Sequence, residues 1–159
     1  MHYCLCRTIR RETLVKRFSF MPKARFLSST DIEQNIFKLK AFMKSKHLDS
    51  FTISSSDIFL NEYVPLEDCH RYYVTNFTGS TAEVIVPLNG RVILFVDGRY
   101  YEQADIEVDP KLVEVFKCPY GMSLQAAMKE IIKERGLKHL GLEGDRIDLS
   151  LFRDFSKLT

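Results

Sequence analysis

The chain has 159 residues, enough for one domain with a packed core and too few for two of ordinary size. Hydrophobic residues make up 45% and charged residues 28%, which excludes wholesale disorder, and no apolar run approaches the roughly 20 residues of a membrane-crossing helix. The net charge of +2 hides an asymmetry, because residues 1–28 carry seven Lys and Arg against Glu12 alone, a local +6, and leave −4 for the rest.

Residues 1–28 read as a basic arm, either a flexible leader or a stretch ahead of a second start at Met21. A nucleic-acid tail or an organelle-targeting segment has the same composition, whereas a secretory signal would need an apolar core that is not there. Cys4, Cys6, Cys69 and Cys118 lack the density of a disulfide framework. His2, Cys4 and Cys6 lack the second Cys/His pair of a zinc finger, so reduced thiols in the cytoplasm are the simpler account.

The body, residues 29–159, opens on a helix. Thr30 and Glu33 make a capping-box pattern, and Ile32, Ile36, Leu39 and Met43 recur at helical spacing. SFTISSS, residues 50–56, alternates as a short strand, and DIFLNEYVP reads as a helical turn or loop ended by Pro65. TAEVIVPL and RVILFVD are apolar, β-branched runs joined through Asn89-Gly90, the pair suited to a type I′ hairpin turn, and they predict antiparallel neighbours. Their near-continuous hydrophobicity places them centrally, covered on both faces.

Beyond the hairpin, GRYYEQAD predicts a helix and KLVEVFK a strand. SLQAAMKEIIKERG is a helix from a Ser123 cap to a Gly136 stop, HLGLEG a strand, and DLSLFRDFSKL a helix capped by Asp148. Strands and helices alternate around a hairpin, so the expected fold is a three-layer α/β domain with a mixed sheet, a central β-hairpin and helices packed on it.

Self-contained chemistry is hard to find in the chain. NFTGST, residues 76–81, lacks the lysine and further glycines of a phosphate loop, and no GxSxG elbow accompanies His47, His70 or His139. Glu67, Asp68, Cys69 and His70 are contiguous and point in different directions unless a turn gathers them. Asp97-Gly98-Arg99 reads as a corner between strand and helix. Asp97 would accept the first free helix amides, Gly98 would allow a tight turn, and Arg99 would need an acidic or carbonyl partner. No catalytic residue and no metal ligand set is expected.

Four blocks in order carry a family resemblance. They are Ser55, Ser56 and Asp57 leading to Glu62, Tyr63, Val64 and Pro65; Arg71; Phe77, Thr78, Gly79 and Ser80; and Asp97, Gly98, Arg99 and Tyr100 with Gln103 and Ala104. Over about residues 30–158 the chain resembles the amino-terminal domain of Xaa-Pro aminopeptidases (aminopeptidase P), of the creatinase/prolidase group. It departs from the pattern at Asn76, where glycine is usual, at Ala82 and Glu83, which replace a small Gly-containing pair, and at Val96, where threonine is usual.

The resemblance implies a creatinase/prolidase N-terminal-like fold with no catalytic group of its own. It implies a C-terminal catalytic domain, absent from this chain, in which two divalent ions, usually manganese, serve hydrolysis of the bond before proline. The chain then reads as an excised domain or a truncated product. Its implied partners are that catalytic domain and a second copy in a homodimer, with proline-containing peptides as substrate of the full protein and the cytoplasm as its compartment. A membrane is set aside as a partner, and nucleic acid is not expected under this resemblance. Arg71 and Tyr72 fall on the segment implied to face the substrate entrance or the interface, although Arg71 could instead pair with a carboxylate of its own domain. Two alternatives remain: a stand-alone protein-interaction module without activity, and a nucleic-acid binder acting through residues 1–28.

Overall fold

Two apolar runs, Glu83–Pro87 and Val92–Val96, form the middle of the molecule, every residue of both buried. Around them the computed structural model describes residues 6–8, 14–15 and 27–158. The strands are β1 (Cys6–Thr8), β2 (Leu14–Val15), β3 (Ser50–Ile53), β4 (Glu83–Pro87), β5 (Val92–Val96), β6 (Val113–Lys117) and β7 (Leu140–Glu143). The helices are α1 (Ser29–Ser45), α2 (Tyr72–Thr75), α3 (Tyr101–Glu107), α4 (Leu124–Glu134) and α5 (Leu149–Ser156).

The strands lie in the order β2-β1-β7-β3-β4-β5-β6. β3 runs parallel to β7 and β5 parallel to β6, while β4 is antiparallel to both β3 and β5. Strands β3, β5, β6 and β7 therefore share one direction, and only β4 opposes them within that group. Ile32, Ile36, Leu39 and Met43 of α1, Val74 of α2 and Ala104 of α3 cover one face of the sheet through Val84, Val86 and Leu94. Ala127, Met128, Ile131 and Ile132 of α4 and Phe155 of α5 cover the other through Ile85, Ile93 and Phe95. This is the three-layer mixed α/β arrangement expected, with the hairpin at its centre.

Two local expectations are corrected. The cap of α1 is Ser28, whose hydroxyl accepts from the Asp31 amide at 3.2 Å while Asp31 accepts from the Ser28 amide at 3.0 Å, so the capping box starts two residues before Thr30. The hairpin turn is not type I′: residues 88–91 lie outside both strands, and Gly90 (φ 97°) takes a positive φ while Asn89 does not. The segment after β3 forms turns without a helix, one of the two forms expected for it. Of the basic arm, Cys6–Thr8 pairs with β7 and Leu14–Val15 with β1. The remainder of residues 1–26, with Met21 and the side chains of His2, Cys4 and Cys6, lies outside the described residues.

Candidate functional site

Because four strands run in one direction, their carboxyl ends, Ile53, Val96, Lys117 and Glu143, meet at one edge of the sheet beside Glu83, where β4 begins. Ligands of open α/β sheets collect at such an edge, where the loops are free to carry side chains that the packed layers exclude. A buried polar network occupies it here. His70 Nδ1 lies 2.5 Å from Glu143 Oε1, both side chains almost wholly sequestered, and Glu143 Oε2 accepts from the Ser54 amide at 3.1 Å. Arg146, also buried, donates from Nη1 to the carbonyls of Asp68 (2.6 Å) and Ser56 (3.3 Å), which fastens the loops after β3 and β7 together. Ser55 closes the strand end by bonding to the Ala82 carbonyl and accepting from the Ala82 amide at 2.7 Å.

Arg71 is the least neutralised member of this network. Its Nη2 donates to the Gly79 carbonyl at 2.6 Å and to Cys69 Sγ at 3.4 Å, and the guanidinium lies 5.3 Å from the centre of the Phe77 ring. Its Nε and Nη1 are buried without a hydrogen-bond partner. Burial pushes the nearby Glu83 carboxyl up to about 8 despite the pull of the Arg71 charge. The carboxylate pairing considered for Arg71 is thus absent among the described residues, and its direct acceptors are a carbonyl and a thiol. Tyr72 sits beside it in the core, 1% exposed and packed edge-on against Tyr73.

Next to Arg71 opens a cavity of about 360 Å³, walled by Tyr63, Val64, Pro65 and Leu66 and floored by Cys69, Arg71 and residues 78–80. The other block residues shape its surroundings. Asp57 accepts from the amides of Phe59 (2.8 Å) and Asn61 (2.9 Å), which curls the loop whose Leu60 takes φ 62°. Glu62 accepts from Thr81 Oγ1 at 3.1 Å, and Ser80 Oγ meets Tyr100 OH at 2.7 Å. A Cβ on Gly79 would lie 2.4 Å from the Phe77 ring and 2.8 Å from that of Tyr100, so glycine is required there for close packing.

The Asp97-Gly98-Arg99 corner stands between β5 and α3 as expected and Arg99 has an acidic partner, but the details differ from the reading in sequence. Asp97 accepts from the Arg99 amide at 3.0 Å and pairs with the Arg99 guanidinium (Nη2 to Oδ2, 2.8 Å), so the partner of Arg99 is its own neighbour and α3 is led in by Tyr100. That pairing holds the Asp97 carboxyl below its usual range. Gly98 has neither a positive φ nor any atom within 4 Å of an added Cβ, so the tight-turn reason for glycine does not apply. His70, Glu143 and Arg146 were missed as a site because their partners lie more than 70 positions away in the chain. Glu83 did carry a signal, an acid heading an otherwise apolar strand.

The family model described as the creatinase/prolidase N-terminal domain matches residues 36–159. The chain belongs to that family. Among curated relatives, Xaa-Pro aminopeptidase 1 of Dictyostelium discoideum is 35% identical over 78 residues, 49% of this chain and 12% of the relative. A probable Xaa-Pro aminopeptidase P of Coccidioides posadasii is 37% identical over 79 residues, 50% of this chain and 13% of the relative. The matched stretch thus spans about an eighth of these relatives' length.

Solved structures agree on the fold. The X-Pro aminopeptidase of Thermotoga maritima superposes with a TM-score of 0.60 at 26% identity, over 77% of this chain and 30% of that one. The N-terminal domain of the cytoplasmic peptidase PepQ of Mycobacterium tuberculosis gives 0.59 at 22% identity, over 79% and 84%. The X-prolyl aminopeptidase of Caenorhabditis elegans, described as a cytosolic enzyme with a di-nuclear active site, gives 0.65 at 19% identity, over 80% and 23%. Among the described residues of this creatinase/prolidase N-terminal domain, no group of three or more His, Cys, Asp and Glu side chains could hold a metal ion, so a dinuclear centre does not fit them. No helix among the described residues is long and apolar enough to cross a membrane.

Proposed function

We propose that this domain serves as the non-catalytic amino-terminal part of a metal-dependent Xaa-Pro aminopeptidase, assisting dimerisation and access of proline-containing peptides. Hydrolysis then falls to a C-terminal domain holding two divalent ions, manganese by the resemblance, in a cytoplasmic enzyme. The observation that carries the reading is the family match over residues 36–159 together with relatives that are Xaa-Pro aminopeptidases several times longer than the matched stretch. Exposed apolar side chains at Ile58 (53%), Phe59 (77%) and Tyr63 (78%), beside the strand ends, supply surface for a neighbouring domain or subunit.

The test is the intact mass and activity of the native product, captured from its own cells with an antibody to this domain. The expected product is far heavier than 18.5 kDa and releases the first residue of an Xaa-Pro peptide in the presence of manganese, while the pure 159-residue chain does not. A native product of 18.5 kDa overturns the reading in favour of a stand-alone interaction module, and cleavage by the pure chain overturns its non-catalytic role.

A further inference from the structure

A guanidinium stays charged at any physiological pH, and a buried one without an anion is costly to hold. Arg71 is 2% exposed and makes no ion pair among the described residues, and two of its three nitrogens lack any acceptor. Glu83 does little to neutralise it, because a carboxyl titrating near 8 is mostly protonated at pH 7. An uncompensated positive charge therefore lies at the floor of a 360 Å³ cavity whose wall, Tyr63 to Leu66, is apolar. The volume falls within the range of small-ligand sites, about 300–1,000 Å³.

We propose that the cavity between the Tyr63–Leu66 wall and Arg71 binds a small carboxylate attached to a compact apolar group. Entry of the ligand uncovers Arg71 Nε and Nη1, which are closed to solvent and without an acceptor in the unliganded cavity, so that the carboxylate reaches them while its apolar part lies against Val64, Pro65 and Leu66. The hydroxyls of Thr78 and Ser80 are already engaged with Glu107 and Tyr100, which leaves Arg71 as the group that selects charge. Loop backbone without regular structure forms the wall, and Tyr63, 78% exposed at its rim, is free to move aside as the ligand enters. The site lies wholly within this chain and stands or falls independently of the peptidase reading.

Two sources present this chemistry: a free small acid and the C-terminus of a peptide. The experiment titrates the full 159-residue chain with N-acetyl-leucine, its neutral amide, and an N-acetylated tetrapeptide ending in leucine as acid and as amide, followed by amide NMR shifts. An acid should bind at least about tenfold more tightly than its amide and shift residues 78–80, and Arg71→Gln should remove the preference. Should Arg71→Gln fail to fold, Tyr63→Ala, at an exposed position, must weaken the acid several-fold. Binding of the tetrapeptide acid alone assigns the site to peptide C-termini, and binding of N-acetyl-leucine alone assigns it to free acids. Acid and amide binding alike, no acid binding at about 10 mM, or shifts confined to other residues overturns the proposal.

Discussion

Replacing Glu83 with glutamine gives the most discriminating test of the buried network. The side chain keeps its shape and can still accept from the Ser55 amide, but it can no longer ionise in its buried place beside Glu143. The ordinary value of the carboxyl is 4.5 and the folded environment raises it to about 8, so the folded form holds the proton more tightly than the unfolded one. Its contribution to stability is therefore complete below about pH 4.5 and is lost as pH rises through about 8, at about 1.4 kcal/mol per pH unit. About 3 kcal/mol is gone by pH 7, and about 5 kcal/mol at the alkaline limit. Urea unfolding of the parent and Glu83→Gln at several pH values between about 5 and 9 isolates this group, because other titrations cancel in the difference. Asp57, Asp97, Asp109 and Asp154 are held below their usual range, so their contributions fade only in more acid solution. The advantage of Glu83→Gln should grow with pH from about 5 and level off above about 8. A difference that stays constant from pH 5 to 9 would mean that Glu83 ionises freely when folded and that Arg71 is already neutralised.

Two further substitution pairs check the local arguments. Gly79→Ala should lower stability by about 1–3 kcal/mol, since its Cβ would intrude on the Phe77 and Tyr100 rings, whereas Gly98→Ala should be close to neutral; thermal melts of both separate close packing from turn geometry. Ser28→Ala should cost about 0.5–2 kcal/mol through loss of the α1 capping box, and Thr30→Ala well under that, a ranking that denaturant midpoints will read directly.

The layers were legible because they rest on local periodicity: the α1 stripe, the paired apolar runs and the Ser123 and Asp148 caps all stand where the pattern put them. What the pattern left ambiguous was settled by contacts beyond its window. Ser28-Asp31 and Thr30-Glu33 both have capping-box spacing, but only the first places an apolar residue, Leu27, just before the cap, where it joins Ile32 in the core. Asn76 shows the reverse case. It ends α2 at φ 63°, a left-handed position that suits glycine best and asparagine with less strain than most other residues.

The candidate site was illegible for a different reason. His70 reaches Glu143, Ser54 reaches Glu143 and Arg146 reaches Ser56 across 73 to 90 positions, so no short window contains two of these partners. The parallel strands create the site by delivering their loops to one edge, and the price in stability is set by how many buried charges that edge leaves unmatched. A buried guanidinium with two unpartnered nitrogens and a buried carboxyl whose ionisation is penalised by burial both cost stability relative to apolar residues of similar size. Arg71 also lines the cavity walled by apolar side chains whereas Glu83 does not, so substitution of Arg71 tests binding and substitution of Glu83 tests stability.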